Sequence, residues 1–175
     1  IAAGQVLQSN NRGIQTIERT KEGFKRRYSD GQIEDFDGDG RLMKITDKNG
    51  YVISLAYNKA GFCESVKDSE SKQIFLEWYP EGKVKKIWSA GDKFATYKYK
   101  GDDMVESKDV ADNVYLYSFD GNHNLTAITY ADKSKMEVKY EPKTQFVSEV
   151  IGRNGESTQY EYGANPKNPD LHYWT

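Results

Sequence analysis

Three carboxylates near the start of the sequence have the spacing of a calcium ligand set. Asp35, Asp37 and Asp39 alternate along the chain, and Gly40 follows them. In the first half of an EF-hand loop, alternate carboxylates converge on the ion and a glycine permits the sharp turn. The twelfth position of such a loop is Thr46 here instead of a bidentate glutamate. Calcium at Asp35, Asp37 and Asp39 is therefore one interpretation, a plain Asp/Gly turn is the other, and no further cofactor is expected.

A short basic run beside an aromatic residue forms a second candidate site. Lys25, Arg26 and Arg27 precede Tyr28, and these residues could contact an anionic glycan or a lipid head group. An exposed aromatic ring such as Trp88 could act as a platform for a sugar ring, because it offers flat apolar area with a polar tip. The predicted ligand-binding residues are thus these five, with a glycan or a cell-surface protein as the partner. The competing interpretation is an edge strand protected by basic residues, with the aromatic rings packed together.

Residue types that could support catalysis are present but scattered. Cys63 is the only cysteine, and the histidines are His123 and His172. A cysteine nucleophile needs a base within hydrogen-bonding reach, whereas Cys63 takes the place of apolar residues in neighbouring repeats and suits a small core position. Paired carboxylates for glycoside hydrolysis could come from Asp102, Asp103, Glu106, Asp109 and Asp112. Acidic residues are also common in solvated turns, so we predict no enzymatic activity and keep a carbohydrate-active enzyme as the least favoured alternative.

Composition narrows the class of protein. Lys and Arg number 25 against 27 Asp and Glu, giving a net charge of -2, so no overall field favours nucleic acid as a partner. No apolar run approaches the ~20 residues of a membrane span. The 13 tyrosines, 7 phenylalanines and 3 tryptophans suit a pleated sheet, where flat rings pack against neighbours on the next strand. An all-β protein is expected.

A repeat of about 21 residues organises most of the chain. Successive copies begin at aromatic residues separated by 20 to 22 positions: Phe36, Tyr57, Trp78, Tyr99, Phe119, Tyr140 and Tyr162. Each copy contains two turns and ends in alternating apolar and polar residues, which is typical of a strand with one buried and one solvated face. Each repeat is therefore predicted to be a two-stranded hairpin. Leu42 and Ile45 lie three residues apart, so a shared face for them requires a bulge or a turn at the leucine.

The predicted fold is all-β, a repeat array of antiparallel β-hairpins that form a continuous twisted, curved sheet, either an open strip or a partial shell. The predicted organisation has four parts: a loop or linker at 1–13, a divergent cap hairpin at 14–35, about six repeats at 36–162, and a Pro/Asn-rich aromatic tail at 163–175. The prolines of the tail deny the sheet its backbone donors. The tail could therefore end the sheet or fold over it.

The motif that runs from Phe36-Asp37 through Gly40-Arg41-Leu42, Ile45, Asp47 and Gly50 to a strand ending in tyrosine resembles the RHS or YD repeat. This repeat is found in bacterial wall-associated and toxin proteins and in animal teneurins, and the resemblance covers roughly 36–162. It implies a strip of hairpins that spirals into a hollow shell in secreted or cell-surface proteins.

From this resemblance we expect a non-catalytic structural or adhesive protein of the bacterial cell envelope or exterior. The alternative is a segment of a polymorphic-toxin shell whose effector domain lies outside this chain. The expected partners are a glycan or a cell-surface protein, the remainder of a larger shell, or a second copy joined through the sheet edges.

Overall fold

The computed structural model describes residues 2, 4–9, 15–91, 93–164 and 173–174. The chain divides into two compact units, Ile1–Phe94 and Ala95–Thr175. Every regular element among the described residues is a β-strand. In each unit the strands follow one another in chain order and each hairpin is antiparallel, so the prediction of an all-β array of antiparallel hairpins with an open sheet is confirmed.

The first unit contains nine complete strands: β1 (Val6–Ser9), β2 (Gln15–Arg19), β3 (Gly23–Tyr28), β4 (Ile33–Asp37), β5 (Leu42–Thr46), β6 (Val52–Tyr57), β7 (Cys63–Asp68), β8 (Gln73–Trp78) and β9 (Val84–Ser89). β1 lies within the segment predicted as a loop, where it pairs Val6 with Glu18 of β2. Local composition did not indicate this strand, because its partner is a separate segment. Residues 10–14, also predicted as loop and the start of the cap hairpin, lie outside the described residues.

The next strand, β10 (Phe94–Lys100), begins at the last residue of the first unit and continues into the second. The second unit also contains β11 (Asp103–Lys108), β12 (Val114–Phe119), β13 (Leu125–Thr129), β14 (Lys135–Tyr140), β15 (Val147–Ile151) and β16 (Ser157–Gln159). A separate short pair joins β17 (Gly163–Ala164) to β18 (Tyr173–Trp174). The proline-containing part of the predicted tail, 165–172, and His172 with it, lies outside the described residues. No helix able to span a membrane occurs in the described part of the chain.

Asp and Asn residues fix many of the turns between the strands. Asp37, for example, accepts hydrogen bonds at Oδ1 from the backbone N–H groups of Asp39 (3.0 Å) and Arg41 (2.9 Å). A short acceptor side chain at this position satisfies turn amides that no strand can reach. The same double acceptance occurs at Asp47, Asn58, Asp68, Asp109 and Asp120.

A β-bulge immediately before the anchor aromatic is the feature that repeats most regularly. It occurs between Ala56 and Tyr57, and at the five equivalent places before Phe36, Trp78, Tyr99, Phe119 and Tyr140. In the first copy Phe36 pairs with Leu42 and Asp35 with Lys44, which leaves Met43 as the extra residue. The bulge therefore places Leu42 and Ile45 on one face although they are three residues apart.

Several anchor aromatics also hold the preceding hairpin by a hydrogen bond. The Tyr57 hydroxyl donates to the Leu42 carbonyl (2.8 Å), and the Trp78 Nε1–H donates to the Cys63 carbonyl (2.6 Å). The Tyr140 hydroxyl donates in the same way to the Leu125 carbonyl (2.9 Å). Each bond reaches back 15 residues to the first residue of the strand that carries the bulge. The carbonyl at the start of each of these strands thus obtains a side-chain donor.

Strand alternation separates the side chains into two faces. We call the face that carries the anchor aromatics the apolar face; in the first unit it is formed by Phe24, Phe36, Leu42, Ile45, Ile53, Leu55, Tyr57, Cys63, Val66, Ile74, Leu76, Trp78, Val84 and Ile87. The opposite, polar face carries mainly charged and small side chains. Ala127 is the one buried hydrophobic residue among those described, and no large side chain is fully buried there. Each unit is accordingly a single layer whose apolar face remains half-exposed.

Candidate functional site

The predicted basic-aromatic site is divided between the two faces of β3. Arg26 and Tyr28 project from the apolar face, whereas Lys25 and Arg27 project from the polar face. The Arg26 guanidinium lies 4.6 Å from the centre of the Tyr28 ring, and its Nε donates to the Gln15 side chain at 2.7 Å. The Tyr28 hydroxyl bonds to Glu34 at 3.1 Å, and burial together with this carboxylate raises the pKa of Tyr28. These two residues are therefore engaged with their neighbours.

On the polar face, Lys25 and Arg27 differ in their contacts. Lys25 forms an ion pair with Asp35 of β4 at 3.4 Å. Arg27 is exposed and lies between Thr16 of β2 and Ile33 of β4. Its guanidinium makes no hydrogen bond or ion pair with the described residues. Of the predicted basic run, Arg27 is the residue whose charge is available to a partner.

Trp88 lies on the polar face but belongs to a different part of it. Six strand spacings separate β9 from β3, which corresponds to ~29 Å across a sheet. The Trp88 ring stacks on Phe75 with centroids 5.5 Å apart, and the Lys86 ammonium lies 5.2 Å from its centre. Lys86 also lies 4.2 Å from the centre of the Phe94 ring. Trp88 is thus packed among neighbours, and the predicted ligand-binding residues do not converge on one site.

The three predicted calcium ligands contact basic side chains and turn amides. Asp35 pairs with Lys25 and, at 3.2 Å, with Lys44. Asp37 Oδ2 accepts from Arg41 Nε at 2.7 Å, and the backbone and side-chain N–H groups of Arg41 hold the pKa of Asp37 below its usual value. Asp39 contacts the same guanidinium at 3.1 Å. No cluster of three His, Cys, Asp or Glu residues suited to a metal ion occurs among the described residues. These contacts give each of the three carboxylates a partner without a metal ion, and calcium binding stays a prediction.

The acidic stretch considered for hydrolysis is distributed along one hairpin. Asp103 contacts His123 Nδ1 at 2.9 Å, Glu106 pairs with Lys98 at 2.8 Å, and Asp112 pairs with Lys108 at 2.7 Å. Asp109 accepts turn amides, and its hydrogen bonds, first of all with the Asn113 side chain, lower the pKa of its carboxyl group. A general acid for glycoside hydrolysis needs a raised pKa. The geometry of Asp109 is that of a turn cap.

Cys63 and His123 are each held by local contacts. The Cys63 thiol lies 3.5 Å from the Ser65 carbonyl, and burial raises the pKa of this thiol. A nucleophilic cysteine instead requires a lowered pKa. The imidazole of His123 bonds to Asp103, and this contact raises the pKa of His123.

An open groove on the apolar face of the first unit was not predicted. It encloses about 700 Å³ above β6, β7 and β8, and its apolar floor is formed by Ile53, Val66 and Ile74. Ile74 is 43% exposed, and the Tyr51 hydroxyl at the margin donates to Asp68 at 2.7 Å. The alternation of Ile53 with Ser54 and of Val66 with Lys67 indicates the apolar face, but nothing in the sequence shows that this face lacks a covering layer.

Comparison with known proteins gives partial matches to much longer chains. No family model matches the sequence. The sequence is 27% identical over 133 residues to the tRNA nuclease WapA of Bacillus subtilis (strain 168), a match that covers 73% of this chain and 5% of the relative. The same values hold for the tRNA3(Ser)-specific nuclease WapA of Bacillus spizizenii. The chain therefore spans about one twentieth of the length of the curated relatives it matches.

Solved structures share the architecture. The crystal structure of TcdB2-TccC3 matches 78% of this chain and 8% of its own, with a TM-score of 0.57 and 14% identity. The crystal structure of TcdB2-TccC3 without its hypervariable C-terminal region gives a TM-score of 0.54, with 12% identity over 78% of this chain and 10% of that one. The chain has an RHS-like fold.

One expectation is corrected by these comparisons. The sequence predicted a protein without enzymatic activity, whereas the curated relatives are named as tRNA nucleases. The prediction rested on the absence of an evident catalytic grouping within this chain. That reasoning fails for a sequence corresponding to about 5% of its relatives, because the reacting groups of a large enzyme occupy a small part of its length.

Proposed function

We propose that this chain is a segment of the repeat shell of a larger, secreted bacterial toxin, and that the parent protein is an enzyme of the nuclease class for which its relatives are named. The observation that carries the proposal is the single-layer sheet with an uncovered apolar face. Stable domains bury such a face against a second layer. A segment of a shell obtains that cover from other parts of the same protein.

The surface area supports the same conclusion. The chain exposes 12306 Å². A compact monomer of its 20.0 kDa mass would expose about 8,700 Å². The difference of roughly 3,600 Å² on this one chain is as large as the total area that permanent interfaces bury on both partners together. The comparisons are consistent with this, because the matched region makes up only a small fraction of each relative, 5% of the curated relative and 8% of the solved chain.

The first experiment is to purify the native gene product and to assay it for tRNA cleavage. The proposal expects a mature protein several times larger than 20.0 kDa that cleaves tRNA, with the same protein after heat denaturation as the control. A native product no larger than this chain would overturn the shell assignment. A large product without nuclease activity would remove the enzymatic part alone.

Thiol labelling tests the shell role directly. In a Cys63→Ser background, Ile74→Cys places a thiol on the apolar face and Lys67→Cys places one on the polar face. Both positions are exposed in this chain, so both should react rapidly here. In the parent protein, Ile74→Cys should react much more slowly while Lys67→Cys keeps its rate. Equal labelling of the two thiols in the parent would show that the apolar face is uncovered there too.

A further inference from the structure

One strand of the second unit carries apolar side chains on both of its faces. β12 places Tyr115 and Tyr117 on the apolar face, as its neighbours do, but it places Val114 and Leu116 on the polar face. Val114 is 38% exposed and Leu116 is 45% exposed. At the equivalent positions β14 has only charged residues: Lys135, Glu137 and Lys139. Apolar residues on both faces are typical of a strand that is covered on both sides.

The neighbouring strands leave Leu116 open. It lies opposite Glu106 of β11 and Thr129 of β13. Phe75 holds the equivalent place in another repeat, three residues before the anchor aromatic, and there the Trp88 ring stacks on it with centroids 5.5 Å apart. Neither residue opposite Leu116 offers such a ring. Exposed apolar side chains that adjoin one another mark a contact surface.

Val114 and Leu116 line a cavity of about 350 Å³ on the polar face. It lies between the turn that precedes β12 and the turn that follows β13, and its lining includes Thr129 and Lys133. This volume is at the lower end of the range of binding pockets. It therefore suits the side chains of a peptide segment that crosses the sheet better than a large ligand.

The charges around this cavity are positive on balance. Asp112 belongs to its lining and pairs with Lys108 at 2.7 Å. On the neighbouring strand, Glu106 pairs with Lys98 at 2.8 Å. Lys133 is exposed and forms no ion pair with the residues that the structure describes. The charge without a partner is thus the Lys133 ammonium, and a carboxylate complements it.

From these observations we infer that Val114, Leu116 and Lys133 form a docking surface for a segment of the parent protein that carries apolar side chains beside an Asp or Glu. This inference rests on the proposed function, because the segment belongs to the part of the parent outside this chain. Its apolar side chains fill the cavity, and its carboxylate pairs with Lys133. β12 is then covered on both faces, whereas β14 is covered on one.

Thiol labelling separates this inference from the shell assignment. In the Cys63→Ser background, Leu116→Cys should react rapidly in this chain alone and lose most of its labelling rate in the parent protein. Lys67→Cys, on the polar face of the first unit, is the control and should keep its rate. Fast labelling of Leu116→Cys in a parent that protects Ile74→Cys would overturn this inference and leave the shell assignment intact. Fast labelling at both positions would count against both.

Carbodiimide cross-linking of the parent protein identifies the carboxylate. The reagent activates carboxyl groups, and a lysine amine in contact with an activated group forms an amide bond to it. Mass spectrometry should find Lys133 joined to an Asp or Glu outside this chain with apolar neighbours, and Lys133→Gln should abolish that product. Lys139 and Glu149, 2.6 Å apart, provide the internal control. A link between these two without any link from Lys133 to the rest of the parent would overturn the inference.

Discussion

At the scale of single residues, the anchor aromatics do more than fill the apolar face. Tyr57, Trp78 and Tyr140 each donate a hydrogen bond to the carbonyl of the first residue of the bulged strand in the preceding copy. This role requires an aromatic ring with a polar hydrogen at its tip. Phe36 and Phe119 hold the same position without that hydrogen. The repeats are thus equal in backbone geometry and unequal in side-chain bonding.

Tyr57→Phe should lower the free energy of unfolding by about 1 kcal/mol, because the half-buried Leu42 carbonyl loses its donor while the ring keeps its packing. Urea denaturation is the measurement. Tyr160→Phe is the control, since the Tyr160 hydroxyl makes no hydrogen bond to the described residues. Equal stability of Tyr57→Phe and the unmodified chain would show that the bond contributes nothing.

Tyr51 should titrate well above ordinary tyrosines. Its hydrogen bond to the Asp68 carboxylate is the main reason that its pKa rises from 10.0 to about 12. Because the folded state holds this proton more tightly, the stabilisation is present below pH 10.0 and is lost as the pH rises toward about 12. The difference between ultraviolet titrations of the unmodified chain and Tyr51→Phe isolates this group. Asp68→Asn should return the difference curve toward the ordinary range.

At the scale of elements, each hairpin depends on its turns and on contacts between neighbouring turns. Gly82 occupies a turn with a φ of +84, and a Cβ added there would lie 3.3 Å from the Phe62 ring. That ring stacks on Trp78 with centroids 5.3 Å apart. Phe62 therefore lies against both the turn at Gly82 and Trp78 on the apolar face.

Gly82→Ala should therefore destabilise the chain more than Gly40→Ala. Both glycines have a φ of +84, which costs alanine about 1 kcal/mol. Only Gly82 has a neighbour within reach of the new methyl group, since nothing lies within 4 Å at Gly40. Thermal unfolding of the two variants measures the difference. Equal losses would mean that the Phe62 ring moves aside without effect on its stack.

The contact between His123 and Asp103 joins the turns of neighbouring hairpins in the second unit. It raises the pKa of His123, so its stabilisation is fully present below the ordinary histidine pKa and is lost as the pH rises through the folded-state value. Asp103→Asn should lower the pKa of His123, as measured by NMR of the ring protons. Asp112→Asn, which removes a partner of Lys108, serves as the control and should leave it unchanged.

At the scale of the whole molecule, each strand obtains its contacts from its immediate neighbours, and no central core exists among the described residues. Stability in such an array is the sum of local hairpins and nearest-neighbour pairings. Damage to one hairpin should therefore remain local. Tyr140→Phe should increase hydrogen exchange in β12 to β15 and leave β4 to β7 unchanged, with Tyr57→Phe giving the reverse pattern. Simultaneous loss of protection in both regions would indicate a cooperative molecule instead.

The repeat period was sufficient to predict the strands and turns, because alternation and Asp/Gly turns are local signals. The sequence did not decide between a bulge and a turn at Leu42, because the spacing of Leu42 and Ile45 does not identify the residue that lacks a partner on the next strand. The run from Lys25 to Tyr28 suggested a cluster that strand alternation divides between two faces. The spacing of Asp35, Asp37 and Asp39 predicts a calcium site, but it could not reveal that Asp35 pairs with two lysines or that Asp37 caps a turn. The enzymatic activity for which the curated relatives are named was not predictable from this sequence, because the match covers about 5% of their length.

The reach of the anchor hydrogen bond has a consequence for how the chain is made. The carbonyl of Leu42 accepts a hydrogen bond from Tyr57, which the ribosome adds 15 residues later. The same separation of 15 residues joins Cys63 to Trp78 and Leu125 to Tyr140. Every such bond therefore closes soon after its hairpin has been synthesised, and none depends on a distant part of the sequence. The chain can therefore acquire these bonds progressively from the N-terminus, one repeat at a time, while it is still being translated.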